Sequence, residues 1–302
     1  MATVAQPTAA DVLAGVDLRG RLAVVTGGYS GLGLAATRAL AGAGADVVVP
    51  ARRPDAARQA LAGVDGVEVH ALDLADLDSV AAFAGCFLRS GRAIDITICG
   101  AGVMACAETR VGPGWEAQFA TNHLGHYALV TRLWPAIVRG RGRVVVVASG
   151  LDRSALRWDD VHLRRGYDKW QAYAQSKLAN VLFAARLDTL ARSDGVHAFS
   201  VNPGYILTPL QRHLTTAEMV GAGWIDEQGT PLLDEFVTPE QGAATQVWAA
   251  TAPELTASGG AYCRACAVAD RVDGDDDRAA AARLWALSAE LTGVDAFASA
   301  SR

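Results

Sequence analysis

The fold of this chain is decided by the stretch Leu22-Ala-Val-Val-Thr26-Gly27-Gly28-Tyr29-Ser30-Gly31-Leu32-Gly33. An apolar run typical of a strand leads into a glycine-rich turn, and an alanine-rich segment typical of a helix follows. Glycines let the backbone turn sharply and approach a pyrophosphate closely, while a helix N-terminus offers free N–H groups and a partial positive charge. The stretch therefore favours a dinucleotide site, and an ordinary strand-to-helix loop is the alternative.

The alternation of strand and helix continues along the chain. Short apolar runs predict strands at 21–26, 45–50, 66–72, 94–99, 143–148, 195–201 and 259–263. Longer segments predict helices at about 32–43, 55–62, 76–90, 115–139, 170–192, 239–251 and 277–291. Strands that are apolar on both faces are typical of a parallel sheet covered by helices. The pattern predicts an α/β fold, a single-domain Rossmann-type doubly wound sheet of about seven parallel strands flanked by helices.

The domain organisation follows from the lack of an internal linker. No Pro/Ser-rich stretch or charge block divides the sequence, so residues 1–302 are expected to form one domain with an N-terminal arm at 1–20. Two longer excursions, at 150–169 and 205–237, follow strand ends. Doubly wound sheets bind ligands at that edge, so both excursions are expected on the substrate side.

Composition and charge exclude several classes of protein. With 51% hydrophobic residues in 302, the chain can fill a large core, which excludes a disordered or fibrous protein. A net charge of −5 supplies no positive field for a nucleic acid partner. The sequence lacks a secretory pattern and a membrane-spanning apolar run, and its five cysteines suit a reducing compartment. We expect a cytoplasmic protein without a membrane anchor.

No metal site is predicted. The pair Cys263-Arg-Ala-Cys266 lacks a second cysteine pair or a histidine at ligand spacing, which favours packed thiols at a strand end. The acidic tract Asp270 to Asp277 lacks the alternating ligands and closing Glu of a calcium loop. It is expected to be a solvated turn before the last helix.

The strongest chemical signal is Tyr173-Ala-Gln-Ser-Lys177, which places a phenol and an ammonium one helical turn apart. The neighbouring ammonium is expected to lower the phenol pKa toward neutrality, and the positive charge of a nicotinamide would act in the same direction if the bound dinucleotide carries one. Ser149, at the end of a predicted strand, and Asn122 precede the pair in the chain. Taken singly, Ser149 could be a turn residue and Asn122 a helix cap.

Together with the glycine spacing, these residues resemble the TGxxxGxG and YxxxK motifs of short-chain dehydrogenases/reductases. The resemblance implies that Tyr173 exchanges a proton with the substrate and that Ser149 hydrogen-bonds the reacting oxygen. It implies that Asn122 holds a helix bend and a water near Lys177. The catalytic set expected from this family is thus Asn122, Ser149, Tyr173 and Lys177.

The cofactor is expected to be NADP(H), with NAD(H) as the alternative. Arg52 and Arg53 follow the second predicted strand, where NAD enzymes offer a carboxylate to the ribose, and a guanidinium grips a 2′-phosphate with two hydrogen bonds. Solvated surface arginines are the alternative interpretation. The loop and the resemblance together give the expected cofactor-binding residues: Gly27, Tyr29, Ser30, Gly31, Leu32, Gly33, Arg52, Arg53, Asp73, Leu74, Ala101, Gly102, Tyr173, Lys177, Pro203, Gly204, Ile206 and Thr208.

Within the family, Trp158 to Tyr173 and Thr238-Pro-Glu-Gln-Gly242 look most like the retinol dehydrogenase-like and WW-domain oxidoreductase-like branch, catalytic domain only. One departure is Cys99-Gly100-Ala101-Gly102, where the family has Asn-Asn-Ala-Gly. Two amide side chains that brace the loop beside the adenosine are lost. Weaker cofactor binding is expected from this change, with no effect on the fold.

The expected function is that of a ketoreductase-type oxidoreductase, which interconverts a carbonyl and a secondary or primary alcohol on a bulky, largely apolar small molecule. Apolar residues of the excursions carry this expectation: Leu156, Trp158, Leu214, Met219, Val220 and Trp224. If Arg157, Arg164 and Arg165 turned inward, a carboxylated or phosphorylated substrate would fit better.

A homodimer or homotetramer is compatible with the resemblance. One alternative function is a catalytically weak or inactive nicotinamide-binding regulatory protein of the same fold. A nucleotide-sugar epimerase or dehydratase is another, but its GxxGxxG spacing and longer chain are not found.

Overall fold

A computed structural model of the chain describes residues 6–150, 155–271 and 274–298, and it contains both strands and helices. In chain order the strands are β1 Leu22–Thr26, β2 Asp46–Ala51, β3 Val67–Ala71, β4 Ile96–Cys99, β5 Arg110–Val111, β6 Trp115–Glu116, β7 Arg143–Val147, β8 His197–Asn202, β9 Ala261–Arg264 and β10 Ala267–Arg271. Eight of them form one sheet in the order β10-β9-β8-β7-β4-β1-β2-β3, and β5 and β6 form a separate hairpin.

The sheet is doubly wound. Neighbouring strands from β3 across to β9 pair in parallel, and the direction of winding reverses between β1 and β4. Ligands bind at such a switch point because the chain leaves the two strands in opposite directions and opens a crevice at their carboxyl ends. The predicted Rossmann-type fold is confirmed, and every predicted strand lies within two residues of an observed one.

The eighth strand was not expected. β10 runs antiparallel to β9 after a two-residue turn at Ala265 and Cys266, which have φ of 50° and 54°. Such a turn needs two left-handed residues, and the usual sequence signal for it contains Gly or Asn. Ala-Cys carries no such signal, so the edge of the sheet could not be predicted from the sequence.

The helices are α1 Ala9–Val12, α2 Gly31–Gly42, α3 Pro54–Ala60, α4 Leu77–Arg89, α5 Ala117–Phe119, α6 Gly125–Gly140, α7 Lys169–Ala191, α8 Thr216–Gly221, α9 Pro239–Gly242, α10 Ala244–Thr251 and α11 Asp275–Thr292. A π-helical turn, Ala120–Leu124, joins α5 to α6. Short 3-10 helices occupy Arg192–Asp194, Pro209–His213 and Pro253–Ser258. No helix of the described ranges is long and apolar enough to cross a membrane.

The single helix expected at 115–139 is wrong at its first two residues and is interrupted by a π-helical turn. Trp115 and Glu116 belong to the β5–β6 hairpin, and the Glu116 carboxylate accepts the N–H groups of Gln118 and Phe119, which starts α5 two residues later. The π-helical turn then shifts the helix face by one residue before α6 begins. Similarly, the helix expected at 239–251 is interrupted at Ala243, where ψ opens to −15° between α9 and α10.

The acidic tract is not a turn as a whole. Asp270 lies in β10, while Asp275, Asp276 and Asp277 form the first turn of α11. Carboxylates stabilise a helix N-terminus because they oppose its partial positive charge. Asp273 lies outside the described residues, as do residues 151–154 of the first excursion.

Two apolar layers cover the sheet. On one face α4, α6 and α7 pack against Val24, Val48 and Val146, and on the other α2 and α10 pack against Val25 and Val49. α11 lies over α7, where the Trp285 ring is 4.9 Å from that of Tyr127 and 5.9 Å from that of Phe183. This packing leaves the carboxyl ends of the strands as the edge at which loops can build a site.

Candidate active site

The turn after β1 is shaped for the close approach of a ligand. Gly27 and Gly31 have φ of 70° and 50°, which favour glycine. A Cβ atom at Gly27 would lie 2.9 Å from the Ala101 Cα, and one at Gly33 would lie 2.2 Å from the Gly27 carbonyl oxygen. The glycines thus let α2 begin directly against the turn. The first residues of α2 line the adjoining cleft, and the free N–H groups of a helix N-terminus suit a pyrophosphate, so the residues fit a dinucleotide.

A cleft of about 440 Å³ opens beside this turn. The structure brings together on its wall most of the expected cofactor residues: Gly27, Tyr29, Ser30, Gly31, Leu32, Gly33, Arg52, Arg53, Asp73, Leu74, Ala101, Gly102 and Thr208. Tyr173, Lys177, Pro203, Gly204 and Ile206 are not on the wall. Ile206 is buried and lies against Gly242, while the Gly204 N–H donates to Asn202 Oδ1 at 3.0 Å. The cofactor roles of all these residues stay predictions.

The loop that lacks the two family amides is braced differently. Thr26 Oγ1 accepts the N–H groups of Gly100 at 2.9 Å and Ala101 at 3.1 Å. The same hydroxyl lies 2.8 Å from His126 Nε2, and His126 Nδ1 lies 2.9 Å from the Asn122 carbonyl oxygen. Buried groups that are all hydrogen-bonded hold a single geometry. The loop is therefore ordered through Thr26 and His126, so weaker cofactor binding no longer follows from a loss of order.

Tyr173 and Lys177 lie on α7, which begins where the Asp168 carboxylate accepts the N–H groups of Trp170 and Gln171. The Lys177 Nζ lies 5.6 Å from the centre of the Tyr173 ring and donates to the Val147 carbonyl at 2.9 Å. The Tyr173 hydroxyl is hydrogen-bonded to the Ser149 side chain. The structure therefore brings three of the four expected catalytic residues together at the carboxyl end of β7.

The titration of this pair departs from the expected direction. Burial raises the pKa of Tyr173 to about 12, and the hydrogen bond with Ser149 opposes this only in part. Burial also lowers the pKa of Lys177 to about 8. The ammonium lies over the ring, and its hydrogen bond goes to a backbone carbonyl. Among the protein groups alone, desolvation therefore outweighs the electrostatic lowering that the sequence predicts for Tyr173.

Asn122 lies in the π-helical turn, so the expected helix irregularity is present. Its side chain is fully used, because Oδ1 accepts the Val103 N–H at 2.8 Å and Nδ2 donates to the Val103 carbonyl and to Ser176 Oγ, each at 2.9 Å. These bonds tie the segment after β4 to α7. Asn122 thus fixes the distance between the cleft wall and the helix that carries Tyr173, and its role in proton relay stays a prediction.

An apolar cluster covers Tyr173. Its buried members Met104, Ala105 and Tyr173 pack with Trp170, Leu210, Leu214 and Trp224. The rings of Trp170 and Trp224 meet edge to face at 6.0 Å, and Lys169 and Glu218 form an ion pair between α7 and α8. Leu210 also lines the cleft, so this cluster adjoins the cofactor space.

The cluster over Tyr173 contains only part of the apolar set that the sequence predicted to line a substrate pocket. Leu214 and Trp224 contribute to it, but Leu156 and Trp158 pack elsewhere, with Phe119 and Leu284. They belong to the contact of the first excursion with α11, because the Arg283 guanidinium lies 4.3 Å from the Trp158 ring centre.

The three arginines of the first excursion do not join the cluster. Arg157 and Arg165 approach Asp160, Arg165 also pairs with Asp159, and Arg164 is exposed.

Sequence reasoning missed Met104, Trp170, Leu210 and Arg212. Trp170 carries a usable signal, because residues three apart on a helix share a face and it precedes Tyr173 by three. Leu210 and Arg212 line the cleft from the loop after Thr208, and their position depends on how that loop folds. Within the described ranges, no group of three His, Cys, Asp or Glu residues could hold a metal ion.

A doubly wound sheet with a dinucleotide cleft beside a tyrosine, lysine and serine cluster defines a nicotinamide-dependent dehydrogenase or reductase. The family model for short chain dehydrogenase matches residues 21–219. The chain belongs to the short-chain dehydrogenase/reductase family, as its motifs predict.

Relatives place the chain within that family. It is 45% identical over 287 residues to a Streptomyces antibioticus protein named "Probable oxidoreductase", with 91% of this chain and 95% of the relative covered. It is 37% identical to mouse polyprenol dehydrogenase, covering 91% and 84%, and 33% identical to mouse retinol dehydrogenase 14, covering 92% and 87%. The predicted retinol dehydrogenase-like branch is confirmed.

Two solved structures are also similar. An uncharacterised protein from Mycobacterium paratuberculosis has a TM-score of 0.74 at 32% identity, covering 96% of this chain and 98% of that one. A protein described as an NAD(P)-dependent gluconate 5-dehydrogenase from Beutenbergia cavernae, with NADP bound, has a TM-score of 0.64 at 28% identity, covering 82% and 96%.

Proposed function

We propose that this enzyme is an NADP(H)-preferring reductase of a bulky, largely apolar ketone or aldehyde, with Tyr173 as the proton donor. One observation carries the proposal: the Tyr173 phenol, hydrogen-bonded by Ser149, is buried beneath an apolar cluster that shares Leu210 with the cofactor cleft. A carbonyl held there has a proton source beside it and apolar walls around it.

The cofactor and the side chains of the site supply different parts of the reduction. The bound nicotinamide supplies the hydride. Ser149 and Tyr173 offer two hydroxyl groups to the carbonyl oxygen, and Tyr173 transfers its proton to that oxygen as the alcohol forms. A phenol with a pKa of about 12 is protonated at neutral pH, so Tyr173 is in the form that reduction requires.

Lys177 and Asn122 hold the other groups in place. Lys177 is fixed against the Val147 carbonyl and remains close enough to place its charge near the developing phenolate. Asn122 fixes the cleft wall at Val103 to α7. Hydride and proton transfer depend steeply on distance. These contacts therefore fix the position of Tyr173 relative to the cofactor cleft.

The cofactor preference is supported by charge at the end of β2. Arg52 and Arg53 are exposed on the cleft wall, and neither has a carboxylate partner within the described part of the chain. Two guanidinium groups favour a 2′-phosphate over a ribose hydroxyl, since each can form two charge-assisted hydrogen bonds with it.

The apolar substrate is supported by the cluster over Tyr173 and by the position of three arginines outside that cluster. Arg157, Arg164 and Arg165 were the groups that favoured an anionic substrate. Arg157 and Arg165 approach Asp160, Arg165 also pairs with Asp159, and Arg164 is exposed outside the cluster. Relatives named for polyprenol and retinol, both long apolar alcohols, agree with this class. The single catalytic domain, the cytoplasmic location and a homo-oligomeric state stay predictions from the sequence.

The proposal is tested by steady-state reduction of a carbonyl panel with NADPH and with NADH. We expect kcat/KM to be at least about tenfold higher with NADPH, which is the effect of one charge-assisted contact. We expect long-chain and polycyclic carbonyls to exceed small keto acids by a similar factor, because their burial gains about 25 cal/mol per Å². Higher kcat/KM for small keto acids would contradict the apolar substrate.

A further inference from the structure

A third arginine faces the cleft beside Arg52 and Arg53. Arg212 lies in the 3-10 helix Pro209–His213 and lines the same cleft as the two arginines at the end of β2. It belongs to the excursion at 205–237, which also supplies Leu210, Leu214 and Trp224 to the cluster over Tyr173. The two sides of the cleft mouth, one from the sheet and one from this loop, are therefore both cationic.

The turn that carries Arg212 has a defined place. Thr208 Oγ1 accepts the Leu210 N–H, and the Gln211 side chain reaches back to the Thr208 N–H at 2.8 Å and to the Ile206 carbonyl at 2.8 Å. A Cβ atom added at Gly31 would lie 3.2 Å from the Thr208 side chain, so the turn begins against the N-terminus of α2. Arg212 Nη1 donates to the Pro209 carbonyl at 3.1 Å, which holds one edge of the guanidinium on the turn.

The three guanidinium groups repel one another. Within the described ranges none of them forms an ion pair with an acidic side chain, although the whole chain carries a net charge of −5. Partial desolvation, followed by the charge of Arg52, lowers the pKa of Arg212 below its ordinary value, and Arg53 acts in the same direction. A convergence of like charges is relieved when a multivalent anion binds among them.

We infer that Arg212 is the third arginine of the 2′-phosphate site and grips that phosphate from the side opposite Arg52 and Arg53. The inference rests on the proposed preference for NADP(H). It assigns part of that preference to the loop that also forms the substrate wall. No residue of the second excursion beyond Thr208 was expected to contact the cofactor.

The position of Arg212 favours the 2′-phosphate over the pyrophosphate. Arg212 lines the same cleft as Arg52 and Arg53, and these two arginines follow β2, at the adenosine end of that cleft. The pyrophosphate position at Gly31 to Gly33 is served by backbone N–H groups at the start of α2. A contact with the 2′-phosphate changes NADP⁺ affinity alone, whereas a contact with the pyrophosphate changes NADP⁺ and NAD⁺ affinity equally.

The test is calorimetric titration of the full chain with NADP⁺ and with NAD⁺, two ligands that differ only in the 2′-phosphate. Four proteins are compared: wild type, Arg212→Met, Arg212→Lys and Arg89→Met, the last an exposed arginine of α4 outside the cleft. We expect Arg212→Met to raise the Kd for NADP⁺ about tenfold and to leave that for NAD⁺ within about twofold. Arg212→Lys is expected to lie between, and Arg89→Met to match wild type.

Three other results of the titration would each contradict a specific part of the inference. An unchanged NADP⁺ affinity in Arg212→Met, with the wild type still preferring NADP⁺, overturns the role of Arg212 and leaves the proposed function standing. An equal loss of NADP⁺ and NAD⁺ affinity overturns the 2′-phosphate contact, because it places the effect on the pyrophosphate or on the fold. A wild type that binds both ligands equally overturns the cofactor preference and the inference together.

Discussion

Tyr173 and Lys177 are buried polar groups whose placement costs stability. Burying a charge without a partner ion is unfavourable, and the lowered pKa of Lys177, about 8, expresses that cost. The hydrogen bonds of Lys177 to Val147 and of Tyr173 to Ser149 recover part of it. Residues held at such a cost are typical of catalytic sites, where a group must be ready in a dry and fixed position.

Arg52 and Arg53 are adjacent in the chain, but we expect Arg52 to contribute more to the preference for NADP(H). Arg52 directly follows the β2 end at Ala51, and its charge acts on Arg212 more strongly than that of Arg53. We therefore expect Arg52→Ala to lower the ratio of kcat/KM for NADPH to that for NADH about tenfold, with Arg53→Ala as the matched variant of smaller effect. An Arg52→Ala enzyme that keeps the wild-type ratio would show that the 2′-phosphate lies elsewhere.

At the residue scale, motifs were predictable and long-range partners were not. Gly27, Tyr173 and Lys177 stand in short patterns that can be found along the chain. The Thr26–His126 hydrogen bond joins residues 100 positions apart, and no local pattern announces it. Arg212 was missed for the same reason, since its approach to Arg52 depends on the fold of the whole second excursion.

The π-helical turn is the element that joins the site to the core. Asn122 contacts the cleft wall at Val103, and its carbonyl binds His126 of α6. His123 lies on the other face, with Nε2 at 2.8 Å from Ser288 Oγ of α11. One turn of chain thus contacts both the cofactor loop and the last helix. A π-helical turn widens the backbone by one residue, which lets successive side chains face different partners.

The buried His123 makes the fold sensitive to acid. Burial, with the charge of His126, lowers the pKa of His123 to about 3, while an unfolded histidine has a pKa near 6.5. Between these pH values the unfolded chain binds one proton more, so this contribution to stability is present above pH 6.5 and is lost as the pH falls toward 3. The loss is about 1.4 kcal/mol per pH unit.

His123→Gln removes that titration and keeps a neutral polar side chain toward Ser288. We expect the free energy of unfolding of wild type to fall more steeply from pH 7 to pH 5 than that of the variant, by roughly 2 kcal/mol over the range. Urea denaturation at several pH values measures both curves. Parallel curves for the two proteins would show that His123 titrates normally in the folded state.

At the element scale, strands were predictable because they are buried on both faces and read as continuous apolar runs such as Val144 to Val147. The segment 115–140 was predicted as a single helix because its apolar spacing continues through a hairpin strand, two helices and the π-helical turn. The Glu116 cap that starts α5 is local, but the bonds of the Asn122 side chain to Val103 and Ser176 are tertiary contacts that no local pattern reveals.

The whole molecule places its chemistry where the sheet topology allows it. The chain leaves β1 and β4 in opposite directions at the switch point, and the glycine turn lies in the crevice formed there. β7 and α7 bring Ser149 and Tyr173 to the same edge of the sheet. This arrangement was predictable because the order of strands and motifs resembles a known family. The apolar cluster over Tyr173 was predicted only in part, because Leu156 and Trp158 instead pack in the cluster that includes Leu284 of α11.

The central proposal for the whole molecule is that Tyr173 donates the proton when a carbonyl is reduced. The most direct test is kcat for carbonyl reduction by Tyr173→Phe, with the Kd for NADPH measured on the same protein. Tyr205→Phe, which removes the hydroxyl of an exposed tyrosine, is the matched control. We predict that Tyr173→Phe lowers kcat at least about a hundredfold, because it deletes only the proton donor, and leaves the NADPH Kd within about threefold. A kcat close to that of wild type and of Tyr205→Phe would contradict the account.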